Sequence, residues 1–584
     1  MESKKSFYVL GINLNTHDSS AALLKDGEVV AAVSEERFTR VKMDGAPPRN
    51  AIESVLGLGG ITPADIDILA VSDMPAGLRR TYLFWWQQFG RVWYTRGGYL
   101  ASFLYPRVWS LYRFMAQTGI NGVRAGWQSA RDTKQIIAVL RAYGFKGKVV
   151  LVDHDRAHAA GAFYTSGMPS AFIGIVEGSS FTNACSFWVG DEKGLRKVDE
   201  TPLPHSPGRY YEVVTHILGF RPRRHEGKIT GLAALGDPKV CYKKIEDLLY
   251  LKDGQIRVGR ALYSLYDEYF ARGRKLPKRF EGDTRENIAA AFQKRLEDVI
   301  VGKFALLSKQ HDLSHTVLSG GVVGNVKLNM EIAKLPEIKE LFVHPPMSDA
   351  GQPLGAACAA YAEANPEYAP RRLKDVYLGP SFNDQEIEEA LKEKGLRYEK
   401  VPNIAERAGQ LLAQNKIVGL FQGRMEYGPR ALGNRSILYP ATDKSTNDWL
   451  NAQLKRTEFM PFAPVTLAEY AGDCYFNTGK VAHALRFMTM AVMVTPFMAQ
   501  KMPAAVHVDH TARPQLIDRE TNPIYYDAIA TYRTLTGLPT VINTSFNMHE
   551  EPIVCTPSEG IDAFLQSHLD ALAIGNFLVL KPAA

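Results

Sequence analysis

Short apolar runs broken by polar turns dominate the opening of the chain. Residues 7–14 are apolar and β-rich, and residues 21–24 continue the pattern. Residues 29–33 return after Asp26-Gly27, a pair suited to a two-residue type I′ turn. This predicts strand, hairpin and strand. Further apolar runs at 148–153 and 171–176 predict more strands. Across 286–307 the apolar positions recur three and four apart, which predicts a long amphipathic helix. Residues 316–319 read as a strand running into Gly320-Gly321, with a helix over 325–334 behind it. Strands alternating with helices predict an α/β architecture. Residues 365–372, with two prolines and mixed charge, are the best linker candidate. A second α/β unit follows, and no short-period repeat is visible.

Composition narrows the class. The chain has 584 residues, 46% hydrophobic and 22% charged, as in a globular protein. No apolar run reaches the ~18 residues of a membrane span. The first residues lack the apolar core of a signal peptide. Five cysteines stand singly with no C-x-x-C spacing, which points to a reducing, cytoplasmic setting. The net charge of +7 is localised. Residues 74–131 carry eight arginines, no lysine and no acid, and five of the seven tryptophans. The remainder has 61 basic residues against 62 acidic ones, a net −1. A near-neutral body with one arginine-rich, aromatic insert does not predict a nucleic-acid partner.

Several motifs carry candidate chemistry. Gly11-x-Asn13, with His17-Asp18-Ser19-Ser20 following, ends the first strand in a glycine and polar turn open to phosphate. In Asp153-His154-Asp155-Arg156-Ala157-His158 the two histidines sit four apart, the spacing by which one helix face offers two imidazoles to a metal. Asp349 is a third candidate ligand, and two imidazoles with a carboxylate suit Fe(II), Mn(II) or Zn(II). Ser319-Gly320-Gly321 with Asn325, and Ser348-Asp349-Ala350-Gly351, are paired glycine-rich strand–helix turns that favour a nucleotide. In the second half, Arg424, Arg430 and Arg435 crowd into one glycine-broken loop ending at Ser436. Lys455, Arg513, Ser545 and Asn547 add cationic and hydroxyl or amide groups suited to planar anions.

These residues, with Ser34-Glu35-Glu36-Arg37-Phe38, Glu226-Gly227-Lys228 and Glu426-x-Gly428-Pro429-Arg430-Ala431-Leu432-Gly433, resemble the O-carbamoyltransferases, the family of the NodU nodulation protein and of antibiotic-tailoring enzymes. The resemblance spans residues 7–582 apart from the insert. It implies an N-terminal actin-like ATPase domain, similar to the tRNA threonylcarbamoyl-transferases, over residues 1–365, and a YrdC-like α/β domain over 373–584. The implied reaction forms carbamoyl-adenylate from carbamoyl phosphate and ATP, with Mg(II), and transfers the carbamoyl group to an acceptor hydroxyl. The implied roles are these. Arg424, Arg430, Arg435, Ser436, Lys455, Arg513, Ser545 and Asn547 hold carbamoyl phosphate and ATP. Gly11, Asn13, Lys228, Ser319, Gly320, Gly321, Asn325 and Gly351 hold the adenylate. His154, His158 and Asp349, with Glu177 as a further candidate, hold a metal, iron by resemblance. His17 accepts the acceptor's proton. Two positions depart from the family pattern. Glu177-Gly178-Ser179-Ser180-Phe181 stands where Asp-Gly-x-Gly-Glu is usual, and Met460 replaces an arginine.

Other readings stay open at this level. One is carbamoylation directed at tRNA or at a protein. Another is a nucleotide-gated binding module without transfer chemistry. The insert reads as a helical cap, a homodimer surface, or an acceptor mouth or peripheral membrane contact.

Overall fold

The computed structural model describes residues 6–14, 17–73, 131–180, 183–445, 462–548 and 550–581. The insert, except for Arg131, lies outside the described residues, as do Lys455, Arg456, Met460 and Phe181.

The predicted hairpin is present. Asp26 (φ 51°) and Gly27 (φ 78°) both take the left-handed conformation that a type I′ turn requires. They join Ser20–Lys25 to Glu28–Ser34. A five-stranded sheet follows in the order Glu28–Ser34, Ser20–Lys25, Tyr8–Asn13, Ile68–Asp73, Lys148–Asp153. Its first three strands are antiparallel, and the last two continue parallel to Tyr8–Asn13. A second sheet repeats this plan: Gly194–Pro202, Asn183–Asp191 and Ala171–Val176 are antiparallel, and His315–Ser319 and Glu340–Val343 add on in parallel. This duplicated order agrees with the actin-like fold that the resemblance implies. The duplication is one of topology and leaves no short sequence period.

Helix His154–Tyr164 is buried except at Arg156, and helix Gln352–Ala364 is buried over 352–360. Both are rich in alanine and glycine, and each lacks the polar face of a surface helix. Gly161 and Gly355 meet where they cross: a Cβ on Gly355 would lie 1.8 Å from the Ala157 oxygen. The long helix is Arg285–Leu307, capped by Thr284, whose side chain accepts from the Asn287 amide at 3.3 Å.

The second half is built on an eight-stranded mixed sheet, with Arg435–Pro440 between Val418–Phe421 and Thr540–Ser545. Helices Ile404–Ala413 and Pro523–Thr536 pack on it, burying Ala408, Leu412, Ala528 and Ile529. Residues 365–372, predicted as a linker, form a strap. Tyr368 stacks on Tyr164 and donates to the Gly27 oxygen at 3.0 Å, and the Arg371 amide donates to the Tyr164 oxygen at 2.9 Å. Hydrogen bonds then cross the seam between halves, including Ala32 N–H to the Leu378 oxygen (3.1 Å) and Arg424 to the Val30 oxygen (3.0 Å). All five cysteines are buried free thiols. Among the described residues no helix is long and apolar enough to cross a membrane.

Candidate functional site

The two halves of the duplicated fold converge on a buried polar centre. Asp153 ends a strand and caps helix His154–Tyr164, accepting from the Arg156 amide at 3.2 Å. That cap points His154 and His158 inward from successive turns. A short 3₁₀ turn, Asp349–Gly351, brings in Asp349 from the far side. One ligand atom from each of His154, His158 and Asp349 falls within 4.8 Å of the others, and all three residues are buried. His158 Nε2 lies 3.4 Å from Asp349 Oδ1 and 3.3 Å from Glu177 Oε1. Two imidazoles and one or two carboxylates at this spacing fit a divalent metal by donor type and by charge.

The surrounding groups orient this set. His158 Nδ1 is 3.1 Å from Ser319 Oγ, whose hydroxyl can donate to the Met347 oxygen at 3.3 Å. In the tautomer whose Nδ1–H donates to Ser319, a neutral His158 leaves Nε2 bare toward the cluster. Burial opposes ionisation of Asp349, but His154, His158 and His17 outweigh it and hold the carboxyl well below its ordinary range. Burial dominates at Glu177 and pushes it up to about 7 despite the facing His158. Burial lowers His154, whereas His158 is raised against burial by its hydrogen bond to Asp349 and by Glu177.

His17 is the half-exposed member, with 47% of its side chain accessible. Its Nδ1 lies 3.1 Å from Asp18 Oδ2 and its Nε2 lies 3.9 Å from Asp349 Oδ2. Its partial burial opposes a charge. The bond to Asp18 and the carboxylates Asp349 and Glu177 overcome that and raise it to about 10. In this field the carboxylates of Asp18 and Asp349 draw His17 toward its protonated form.

Several candidate nucleotide contacts are taken up by the framework. At Gly11 a Cβ would lie 1.9 Å from the Pro353 oxygen, so the helix start fills the space on that side. Asn13 donates to the Asp18 and Asp349 oxygens and accepts from Ser20, which fixes the turn. The Gly321 amide donates to Glu177 Oε1 at 2.6 Å, and the Gly320 amide to the Met347 oxygen. Gly351 packs under Pro346, Asn325 caps helix Val326–Ala333, and Lys228 is buried in helix Glu226–Ala233. These positions shape the centre, and the close approach that their glycines permit is to the chain itself.

In the second half the arginines divide. Arg435 is fully buried, lies 3.7 Å from the Phe421 ring centroid, and donates to the Gln422 and Asn434 oxygens. Arg424 donates to the Gly379, Leu378 and Val30 oxygens. Both hold backbone segments together. Arg430 and Arg513 are half-buried. Ser436 and Ser545 are register partners on adjacent strands, and Asn547 follows, donating to the Met548 and Glu551 oxygens. A cavity of about 270 Å³ lies on the seam, lined by Gln293, Glu297 and Lys327 from one half and by His507, Asp509 and Arg513 from the other. Asn325 borders it through Gln293, to which its Nδ2 donates at 2.8 Å.

Sequence reasoning missed Gln352, which enters the candidate metal cluster, Ser72, which donates to Gln352, and Gln293, which joins Asn325 to the cavity. The available signal was spacing: Gln352 follows Asp349 by three residues, and Gln293 sits mid-helix one turn before Glu297.

Comparison with known proteins places this geometry. Residues 8–358 match the carbamoyltransferase N-terminus family and residues 409–581 the carbamoyltransferase C-terminus family. Nodulation protein NolNO of Sinorhizobium fredii is 30% identical, covering 98% of this chain and 80% of that protein. An uncharacterized protein of Synechocystis sp. is 31% identical over 99% of this chain and 97% of its own length. A full-length HypF in its phosphate- and nucleotide-bound form is 14% identical, with a TM-score of 0.37 over 62% of this chain and 47% of that one. With both halves matched in order and relatives alike from end to end, the chain belongs to the carbamoyltransferase family and is a carbamoyltransferase enzyme.

Proposed function

We propose that the chain is an ATP-dependent O-carbamoyltransferase with two half-reactions, adenylation in residues 373–584 and transfer in residues 1–365. In the first, water removes phosphate from carbamoyl phosphate. The resulting carbamate oxygen attacks the α-phosphorus of Mg(II)-bound ATP, and pyrophosphate leaves. Arg430, Lys455 and Arg513 offset the charge that builds on the departing group. The carbamoyl-adenylate crosses the seam. There the acceptor hydroxyl attacks its carbonyl carbon and AMP leaves.

One observation carries this reading: His154, His158 and Asp349 place three ligand atoms within 4.8 Å in a buried centre that is open on the side of His17. A divalent metal held there, Fe(II) in our reading, supplies Lewis acidity toward the carbamoyl carbonyl. The chain's own groups do the rest. Ser319 orients His158, Glu177 borders the same ring, and His17 orients the entering hydroxyl, whose proton leaves to water at the exposed side. The acceptor is a hydroxyl of a small molecule, a glycan or another natural product.

The test separates the two steps. Pyrophosphate release should require both ATP and carbamoyl phosphate. His154→Ala and Asp349→Ala should retain it while abolishing carbamoylation across a panel of alcohols and glycans. Pyrophosphate release without carbamoyl phosphate, or transfer surviving in both variants, would overturn the proposal.

A further inference from the structure

Gln352 stands at the middle of the ligand cluster. It opens helix Gln352–Ala364, three residues beyond Asp349, and is 1% exposed. Its Nε2 lies 2.9 Å from Asp349 Oδ1, 3.1 Å from His158 Nε2, and 2.9 and 3.0 Å from the two ring nitrogens of His154. The amide nitrogen is thus almost equidistant from all three candidate ligands. Its other end is fixed, because Ser72 Oγ donates to Gln352 Oε1 at 2.6 Å from the end of strand Ile68–Asp73. A helix start and a strand end therefore aim one carboxamide at the point that the three ligands share.

The chemistry of a carboxamide has two faces. The NH₂ is a donor only and has no lone pair for a metal. Its two hydrogens can bridge the Asp349 carboxylate and the His158 imidazole. The carbonyl oxygen is a metal ligand. A half-turn about the terminal torsion, which is broad and two-fold, exchanges them. Ser72 suits both orientations, since a hydroxyl accepts from NH₂ as well as it donates to C=O. We propose that Gln352 belongs to the metal centre. With nitrogen inward it ties His158 to Asp349 against the His154 ring; with oxygen inward it becomes a further ligand, held by Ser72. The inference rests on the metal reading given under Proposed function.

The experiment is a Co(II) titration of the chelator-treated full chain, followed by visible absorption, so that no turnover is needed. Gln352→Leu should lower Co(II) affinity by about 10- to 100-fold and change the ligand-field bands, with a smaller loss in Ser72→Ala. Gln352→Glu, which puts a stronger oxygen donor in the same place, should bind more tightly than the parent with shifted bands. Circular dichroism checks folding, and if the leucine variant fails to fold, the glutamate variant decides. Parent-like affinity and superimposable spectra in Gln352→Leu, or in Gln352→Glu where that variant decides, overturn the proposal, as does tighter binding by Gln352→Leu. A parent chain that binds no Co(II) would instead sink the metal reading itself.

Discussion

Arg37, only 3% exposed, donates from Nη2 to the carbonyl oxygen of Gly428 at 2.8 Å, fastening the first sheet to the arginine-rich loop of the second half. Its neighbours extend the joint. Glu35 accepts from the Ala51 amide and Asn50, while Arg40 donates to the Pro552 and Ile553 oxygens. The segment Ser34–Phe38, part of the family signature, is thus an inter-half fastener. Arg37→Ala should cost about 2 kcal/mol, the range for a buried hydrogen bond to a charged group, read as a lower urea midpoint. An unchanged midpoint would show that Arg40 carries the joint alone.

Glycine at 355 sets the distance between the helices that carry the cluster. A Cβ there would lie 1.8 Å from the Ala157 oxygen and 3.0 Å from the Gly161 nitrogen, so the helices must separate. Gly355→Ala should destabilise by roughly 1–3 kcal/mol and also weaken Co(II) binding, because His154 and His158 move relative to Asp349. Gly57 is the contrast: it is helical, with nothing within 4 Å of its Cβ position. Gly57→Ala should stabilise by up to about 1 kcal/mol. Thermal melts of the two variants should move in opposite directions.

The legible parts of this fold were those that local patterns dictate. Asp26-Gly27 announced its hairpin, the apolar spacing its 23-residue helix, and His154 with His158 their shared helix face. Other features arise only when distant segments meet. The Gly11 turn owes its close packing to Pro353, and Arg424 reaches the Val30 oxygen of strand Glu28–Ser34, neither of which local sequence reveals. Ser319 sits beside a glycine pair, yet its hydroxyl faces His158, 161 positions earlier in the chain. Residue type named the chemistry, and tertiary contacts decided which groups were already engaged.

Lys327 and Asp509 meet across the cavity at 2.7 Å, each with a quarter of its side chain exposed. Burial works against the Asp509 charge, but His507, Lys327 and Thr511 more than offset it and hold the carboxyl well down. Partial exposure screens the pair, so a double-mutant cycle of Lys327→Ala and Asp509→Ala should give a coupling of only about 0.5–1 kcal/mol. It should shrink further at 1 M salt, where the Debye length is ~3 Å. A coupling above ~2 kcal/mol that ignores salt would mean that the pair is effectively dry.

Glu297 makes the same cavity sensitive to pH. It is 7% exposed and bonded to Gln293 Nε2 at 2.8 Å. Burial is the main cause of its rise from 4.5 to about 7, with Glu331 adding to it and Gln293, Lys327 and Lys294 opposing. Between these values the folded chain keeps a proton that the unfolded chain has released, so stability falls as pH rises. The contribution is whole below pH 4.5 and gone above about pH 7, a span worth ~3 kcal/mol. Glu297→Gln keeps a polar partner for Gln293 and removes the ionisation. It should raise the melting temperature at pH 8, change it little at pH 4.5, and flatten the curve between them. Parallel curves for the variant and its parent across that range would show that Glu297 stays ionised in the fold, paired with Lys294 or Lys327 more strongly than burial opposes.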